Sequence, residues 1–225
     1  MTHLNFETVH ALVAASNSRA AAHIRMALTD IGVGNIQTMD SLESVRSTLR
    51  ETFVDFLIAD TEWSDGNLGE MISAIRHGEM GPNPYLVILG TADDVDTVSA
   101  WRAIRHGAEG ILPAPIDTAA LGDAMKTACL ARNKFVATSD FIGPDRRAKS
   151  GKESLIPLLE VPNSMAERAL GTFNAEEMAV AVVDMMTRIN REILDRHSAL
   201  LVLLANRVGP DLLVGGVDEG IRVFF

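Results

Sequence analysis

Residues 56–60, Phe-Leu-Ile-Ala-Asp, are a continuous apolar run that ends in an acidic residue. Similar runs are Ala-Leu-Val-Ala-Ala at 11–15 and Tyr-Leu-Val-Ile-Leu at 85–89. Continuous rather than alternating apolar runs are typical of strands that are covered on both faces, as in a parallel sheet. With two shorter runs, the sequence predicts five strands, over His10–Ala15, Asn35–Met39, Val54–Ala59, Tyr85–Leu89 and Glu109–Leu112.

Segments with helical spacing of apolar residues follow each of these runs. Their apolar stripes include Ile24, Val45, Ile72, Trp101 and Met125. Ser41 is a predicted N-cap, and Gly32 is placed where a helix ends. Strand and helix signals that alternate five times predict an α/β fold, a doubly wound five-stranded parallel sheet with right-handed crossovers.

The periodicity disappears between residues 133 and 173, which predicts a polar linker after a first domain at 1–132. Four of the seven residues in Arg146–Lys152 are basic, and Phe141 and Leu155–Leu159 are the apolar residues by which the linker could dock in part. A C-terminal helical segment, 174–225, is predicted to begin with a long helix from Asn174, its N-cap, to Asn206. The tail 210–225 matches no pattern. A seam suited to another helix is predicted at Val182, Met186, Ile189, Ile193, His197, Leu200 and Leu204.

Composition limits the partners that the chain could have. An apolar fraction of 47% with 22% charged residues is typical of a globular protein. Thirty acidic residues against 20 basic ones give a net charge of −10, which argues against nucleic-acid binding. The sequence begins without a basic, then apolar, secretory signal, and Ala199–Ala205 is too short to span a bilayer. The single cysteine, Cys129, fits a reducing compartment, so a cytoplasmic location without membrane contact is predicted.

Familiar enzyme motifs are missing from the sequence. The turn after the first run, Ala-Ser-Asn-Ser-Arg at 15–19, lacks the glycines of a dinucleotide site and the Gly-Lys-Ser/Thr of a phosphate loop. There is no Gly-x-Ser-x-Gly nucleophile turn and no His/Cys spacing for zinc. An enzyme is therefore not predicted. The candidate functional residues are those that follow the strands at their carboxyl ends, Asp60 and Thr91 among them.

These positions carry a family resemblance. Residues from about Val9 to Leu130 resemble the CheY-like receiver domain of bacterial two-component response regulators. Phe56–Asp60 is similar to the family's third strand with its phosphorylated aspartate, and Asp65-Gly66 to the Asp-Gly after it. Leu86–Ala92 resembles the fourth strand with its switch residue, here Thr91. Gly107–Pro115 resembles the end of the fifth strand. The segment Phe141–Arg147 resembles a stretch that follows receiver domains in some alphaproteobacterial regulators.

The resemblance implies Asp60 as phospho-acceptor and Thr91 as switch residue, but part of the family's machinery is missing. The family binds Mg²⁺ through an acidic pair after the first strand, and here those positions are Ala15 and Ser16. The lysine that pairs with the phosphoryl group is replaced by Ala114, and the aromatic switch partner by Ile111. Mg²⁺ requires hard, charged oxygen ligands. Only weak Mg²⁺ binding, by Asp60 with Glu62, is therefore predicted.

Several structural alternatives stay open at this stage. Asp60 could be a turn aspartate, and Thr91 could cap a helix that begins near Asp93. Glu62 and Asp65 could be solvated loop acids. Trp101 is expected to pack beneath the fourth helix, and the alternative is that it marks a partner site. His197 could be a phosphotransfer histidine, but Ser198-Ala199-Leu200 lacks the acidic residue that follows such a histidine.

The sequence thus predicts a two-component (phosphorelay) response regulator with an atypical receiver domain. Its upstream partner would be a histidine kinase or phosphotransfer protein. Its output would be protein–protein interaction, with self-association or partner docking through helix 174–206 and without nucleic acid. The alternative is a phosphorylation-independent pseudo-receiver scaffold. A third hypothesis, an enzyme on a flavodoxin-like fold, has no support in the sequence.

Overall fold

The computed structural model describes residues 3–146 and 156–212. A parallel sheet of five strands, in the order β2-β1-β3-β4-β5, forms its centre. Its strands are β1 (His10–Ala14), β2 (Asn35–Met39), β3 (Phe56–Asp60), β4 (Val87–Ala92) and β5 (Gly110–Pro113). The helices that connect and follow them are α1 (Ser18–Ile31), α2 (Leu42–Glu51), α3 (Leu68–Arg76), α4 (Val98–Arg105) and α5 (Thr118–Leu130). This order is that of the flavodoxin-like and CheY-like doubly wound folds, so the predicted fold class is confirmed.

Alternate residues of each central strand face two separate apolar cores. On one side, Phe56 and Ile58 of β3 belong to the core that α1 and α5 cover. On the other side, Leu57 and Ala59 belong to the core that α2 and α3 cover. Because both faces are covered, β3 has no polar face, which explains its continuous apolar sequence.

Local signals fix most of the helix ends. Ser41 accepts a hydrogen bond from the Ser44 backbone N–H, as its predicted capping role requires. Gly32 ends α1 with a φ of 101°, a left-handed conformation that glycine adopts without a Cβ clash. The predicted apolar stripe of α4 was wrong in part. Trp101 does not pack beneath the helix but is 55% exposed, and the buried residues of α4 are Ala100 and Ala103.

The segment predicted as a polar linker contains regular structure. Strands β6 (Phe135–Ala137) and β7 (Ile142–Pro144) form an antiparallel pair, and α6 spans Ser164–Leu170. Phe135 and Leu159 exchange two backbone hydrogen bonds, and both side chains are buried. The expectation of irregular structure between 133 and 173 is corrected to that extent, because strands of three residues are too short to show a period. The division into domains at 132 and 173 stays a prediction, and most of Arg146–Lys152 lies outside the described residues.

The last helix, α7, spans Ala175–Leu212 and is 38 residues long. The side chain of Asn174 accepts hydrogen bonds from the backbone N–H groups of Glu176 and Glu177, so its predicted capping role is confirmed. The helix continues past its predicted end at Asn206. Most of the tail 210–225 lies outside the described residues. Within the described ranges, no helix combines the length and apolar character that crossing a bilayer requires.

The part of the chain that follows α5, residues 133–146 and 156–212, is called the extension. It packs against the amino ends of the sheet strands. Met178, Val182 and Ile189 of α7 share a core with Tyr85, Phe135, Ile142 and Leu159. The Asn83 side chain donates to Val54 O at 2.9 Å and to Ser164 Oγ at 3.1 Å, and thereby ties α6 to the start of β3. Arg168 of α6 forms an ion pair with the buried Asp55 at 2.8 Å. This end of the sheet is therefore closed by protein.

Candidate functional site

Asp60 is the last residue of β3, at the carboxyl edge of the sheet. It stands opposite Thr91 of β4 in the strand register, and the chain after β1 passes on its other side. Its backbone carbonyl accepts a hydrogen bond from Trp63 Nε1 at 2.6 Å, which fixes the turn that follows the strand. The residue is partly exposed, so its carboxylate is accessible at the edge where ligands collect in open parallel sheets.

Both oxygens of the Asp60 carboxylate accept hydrogen bonds from neutral donors. Thr91 Oγ1 donates to Oδ1 at 2.6 Å, and the Ser16 backbone N–H donates to Oδ2 at 3.1 Å. The Ser16 hydroxyl lies 3.4 Å from the same Oδ2. The structure therefore brings together Asp60, Thr91 and Ser16, three of the residues that the sequence singled out.

The alternative role of Thr91 as a helix cap was wrong. Helix α4 begins at Val98, and its N-cap is Thr97, whose side chain accepts from the Ala100 backbone N–H. Asp93, Asp94 and Asp96 precede this cap, so the first turn of α4 contains no acidic residue. The Thr91 hydroxyl contacts Asp60 instead.

Two cavities, of about 650 and 420 Å³, open beside the Asp60 carboxylate. Asn17, Ala20, Asp60, Thr91, Asp93 and Ala114 line both of them. The larger cavity extends along α1, where Arg19 and His23 reach its wall. It also passes Pro115, which follows Ala114 through a cis peptide bond. Receiver domains have a lysine at the position of Ala114. The short Ala114 side chain leaves open the space that such a lysine would enter.

The two positions after β1 that hold the acidic pair in the family supply no carboxylate beside Asp60. Ala15 is buried and apolar, and Ser16 offers a neutral oxygen. The Asp65 carboxylate accepts from the Leu42 backbone N–H at 2.9 Å and so serves the start of α2. Within residues 3–146 and 156–212, no group of three or more His, Cys, Asp or Glu side chains could hold a metal ion. Glu62 is exposed and lines the smaller cavity, so its pairing with Asp60 around a metal stays a prediction.

Ile111 occupies the position in the fifth strand where receiver domains often have an aromatic residue, and its role here is in packing. Ile111 lies against Gly90 so closely that a Cβ on Gly90 would come within 2.4 Å of Ile111 Cδ1. The same Cβ would come within 3.0 Å of Thr61 Cγ2. The Ile111 side chain therefore fills the space over β4 behind Thr91, on the side of α3 and α4.

A second cluster of charged residues, which the sequence did not predict, lies at the opposite end of the sheet. Glu109, just before β5, forms ion pairs with Arg76 at 3.1 Å and with Arg132. Both guanidinium groups lie near the Phe135 ring, with centroid distances of 5.2 Å to Arg76 and 4.9 Å to Arg132. Burial lowers the pKa of Arg76 to about 10, although Glu109 acts in the opposite direction. The signal available in the sequence was the position of Glu109 inside a predicted strand.

Two other residues discussed from the sequence lie away from the Asp60 site. Cys129 packs beside the α1–α5 core, and burial raises the pKa of its thiol to about 12. His197 is on an exposed face of α7. Neither residue lines the cavities beside Asp60.

No family model and no curated protein matches this chain. Solved structures do match about half of it. A pilus assembly-related protein of Burkholderia pseudomallei is 23% identical over 55% of this chain and 90% of its own, with a TM-score of 0.45. Chemotaxis response regulator CheY4 of Vibrio cholerae is 16% identical over 52% and 96%, with a TM-score of 0.46. The receiver domain of a Pseudomonas aeruginosa sensor histidine kinase, with magnesium in its active-site cleft, is 14% identical over 51% and 92%, also at 0.46. The chain is similar to CheY-like receiver domains.

Proposed function

We propose that this chain is an atypical receiver-type module of two-component signal transduction, with Asp60 at the phospho-acceptor position. One observation carries the proposal: the Asp60 carboxylate stands at the carboxyl edge of β3, bonded to the Thr91 hydroxyl and open to two cavities. Its upstream partner would be a histidine kinase or a phosphotransfer protein. Its output would be protein–protein interaction through the C-terminal extension, of which α7 is the largest part.

The chemistry expected at Asp60 is a phosphoryl transfer. A carboxylate oxygen forms a bond to phosphorus while the bond from phosphorus to the donor's leaving atom breaks. The Thr91 hydroxyl, 2.6 Å from Oδ1, is placed to donate to an oxygen of the phosphoryl group. The Ser16 backbone N–H, on Oδ2, is a second donor of the same kind.

The residues around Asp60 also predict that this transfer is inefficient. A charge-assisted hydrogen bond to phosphate is worth about 1.5–3 kcal/mol, which corresponds to roughly a tenfold to hundredfold change in an equilibrium constant. Ala114 removes such a bond, and Ala15 and Ser16 remove the charges that hold a metal ion in the resemblance. We therefore expect phosphorylation well below one group per chain.

A second candidate, the phosphorylation-independent scaffold, is favoured by the same hydrogen bonds. Both Asp60 oxygens already have donors, so the carboxylate is satisfied without a phosphoryl group or a metal ion. In this alternative, the receiver fold only presents surfaces, and the state of Asp60 does not change partner binding.

Acetyl phosphate labelling tests the proposal. The protein is incubated with acetyl phosphate and Mg²⁺, and intact mass spectrometry measures the fraction that carries one phosphoryl group. We expect a small labelled fraction that Asp60→Asn abolishes and Glu62→Gln, a change of a neighbouring exposed carboxylate, preserves. No label in the wild type, with equal partner binding by wild type and Asp60→Asn, would establish the scaffold. Stoichiometric labelling of the wild type would contradict the expectation that the missing charges make phosphorylation inefficient.

A further inference from the structure

Helix α7 has two apolar faces, and the described residues of the chain cover one of them. Met178, Val182, Ile189 and Ile193 pack against the rest of the chain. On another face of the helix lies what we call the exposed seam: Val180, Val183, Thr187, Asn190, Leu194, His197, Leu201 and Leu204, every one of them exposed.

The exposed seam has the spacing of a coiled coil. Its members follow one another at alternating intervals of three and four residues, a mean of 3.5, through nearly four heptads. Its large apolar members, Val180, Val183, Leu194, Leu201 and Leu204, are between 42% and 66% exposed. This seam differs from the one that the sequence predicted, of which Val182 and Ile189 are buried against the domain. A regular apolar seam of this length, exposed and without a partner helix in residues 3–146 and 156–212, is suited to pairing with another helix.

We propose that the exposed seam pairs with the same seam of a second copy of this chain, in a parallel, in-register two-stranded coiled coil. The inference rests on the proposed output through α7 and names its partner. The exposed seam is far from Asp60 in the sequence, and the proposed pairing requires no phosphoryl donor.

The polar members of the seam favour the parallel arrangement. In register, Thr187, Asn190 and His197 each meet the same residue of the second copy, so each polar group faces a hydrogen-bonding partner, while Leu194, Leu201 and Leu204 meet leucines. A buried Asn that pairs with itself sets the register of a coiled coil.

Antiparallel pairing loses this match. The antiparallel register that uses the whole seam sets Asn190 against Leu194 of the second copy, which leaves the amide without a partner. It also brings Arg191 beside Arg191 of the second copy. A shorter antiparallel register, centred between Thr187 and Asn190, leaves Leu201 and Leu204 in water.

The residues that flank the seam agree with a second copy as the occupant. In the parallel pair, Met186 flanks Arg191 of the second copy, and Leu200 flanks its Ala205, so no like charges meet across the interface. A membrane surface is the poorer occupant, since it favours a cationic flank. Between residues 184 and 207, α7 has three acidic and four basic residues.

Sedimentation of the full chain tests the pairing. We expect a dimer in the wild type without any phosphoryl donor. Leu194→Lys should weaken it by about a hundredfold or more, because two leucines lose their burial and two charges enter the interface. The matched control is Val202→Lys, an equally exposed apolar residue outside the seam, which should leave the dimer intact. Far-UV circular dichroism of both variants checks that the fold is preserved.

Disulfide trapping tests the orientation. In a Cys129→Ala background, a Leu201→Cys variant should form an interchain disulfide on mild oxidation, because parallel chains place the two thiols together. In the full antiparallel pair, these thiols would be about 27 Å apart, the helical rise between residues 183 and 201. There, Leu201→Cys would cross-link only to Val183→Cys of a second chain.

Each outcome decides the proposal. A monomeric wild type overturns it, as does a dimer that withstands Leu194→Lys or one that Val202→Lys disrupts equally. Cross-linking only in the mixture of Leu201→Cys and Val183→Cys overturns the parallel orientation. None of these results bears on the labelling of Asp60, so failure here is distinguishable from failure of the proposed phospho-acceptor role.

Discussion

The two ends of the sheet differ in how their carboxylates are paired. At the amino end, β6, β7, α6 and α7 cover the strands, and the partly buried Glu109 and the buried Asp55 are each paired with arginine. At the carboxyl end, the donors that Asp60 has among the described residues are neutral, and its carboxylate faces open cavities. Paired burial of charge stabilises a docked segment, whereas a carboxylate at an open edge stays available to a ligand. The comparison indicates that one end is structural and the other is the candidate site.

The largest effect is expected at the closed end. Glu109→Gln leaves the guanidinium groups of Arg76 and Arg132 buried without their shared anion. Breaking a buried ion pair by removing one partner costs about 3–5 kcal/mol. Urea unfolding at unchanged m-value measures this loss. Asp123→Asn, which removes an exposed ion pair with Lys126, is the matched control and should change stability by less than about 1 kcal/mol. Equal effects would show that the cluster does not hold the closed end.

Phe135 gives a smaller expected effect at the same end. Phe135→Leu keeps an apolar side chain but removes the ring that contacts the guanidinium groups of Arg76 and Arg132. Each desolvated cation–π contact is worth about 0.5–2 kcal/mol, so the loss of both should lower the free energy of unfolding by about 1–4 kcal/mol. Phe141→Leu, whose ring faces the single guanidinium of Arg146, should cost less. A larger loss from Phe141→Leu would contradict a role for these two contacts.

At the open end, loss of the Thr91 hydroxyl should cost less again. Thr91→Val removes the donor to Asp60 Oδ1 but keeps the side-chain shape. A hydrogen bond to a charged group contributes about 1.5–3 kcal/mol when buried, and the partial exposure of Asp60 reduces this to about 1 kcal/mol. Thermal and urea unfolding measure the change, and Thr91→Ser is the control that retains the hydroxyl. If Thr91→Ser were as unstable as Thr91→Val, the hydroxyl would not be the cause.

The sequence contained most of the fold and only part of the site. Phe56–Ala59 predicted a buried strand because both faces of β3 are covered, and Gly32 and Ser41 predicted helix ends through local geometry. The predicted bounds of β2 were exact, whereas those of β4 shifted by two and three residues, since it begins at Val87 and continues to Ala92.

The misses share one cause: they depend on contacts between residues that are distant in the chain. Arg76, Glu109 and Arg132 are far apart in the sequence and meet only in the folded protein, so no local period predicts their ion pairs. Phe135 and Leu159 pair across residues that resemble a linker. Asp60 was found because a strand end is a local signal, whereas its bonds to Thr91 and Ser16 required the strand order.

Restoring the missing charges at the open end should change stability less than any of the substitutions above, and its effect is expected on phosphorylation instead. We expect the double variant Ser16→Asp with Ala114→Lys to accept more label from acetyl phosphate than the wild type, by about tenfold or more. Both positions line cavities beside Asp60, so the new side chains extend into open space. Intact mass spectrometry measures the gain, and Asp60→Asn in the double variant is its control. An unchanged labelled fraction would show that the missing charges do not limit the reaction.

Mg²⁺ titration tests the central claim, that Asp60 occupies a receiver-type position without the charges that bind a metal ion. Trp63, whose Nε1 donates to Asp60 O, reports on the site once the exposed Trp101 is replaced by Phe. For the Trp101→Phe protein, we expect a weak Mg²⁺ response of Trp63 fluorescence, with half-saturation at a Mg²⁺ concentration about tenfold or more above that measured after Ser16→Asp with Ala114→Lys. An equally tight response without those two substitutions, lost in Asp60→Asn, would contradict the account.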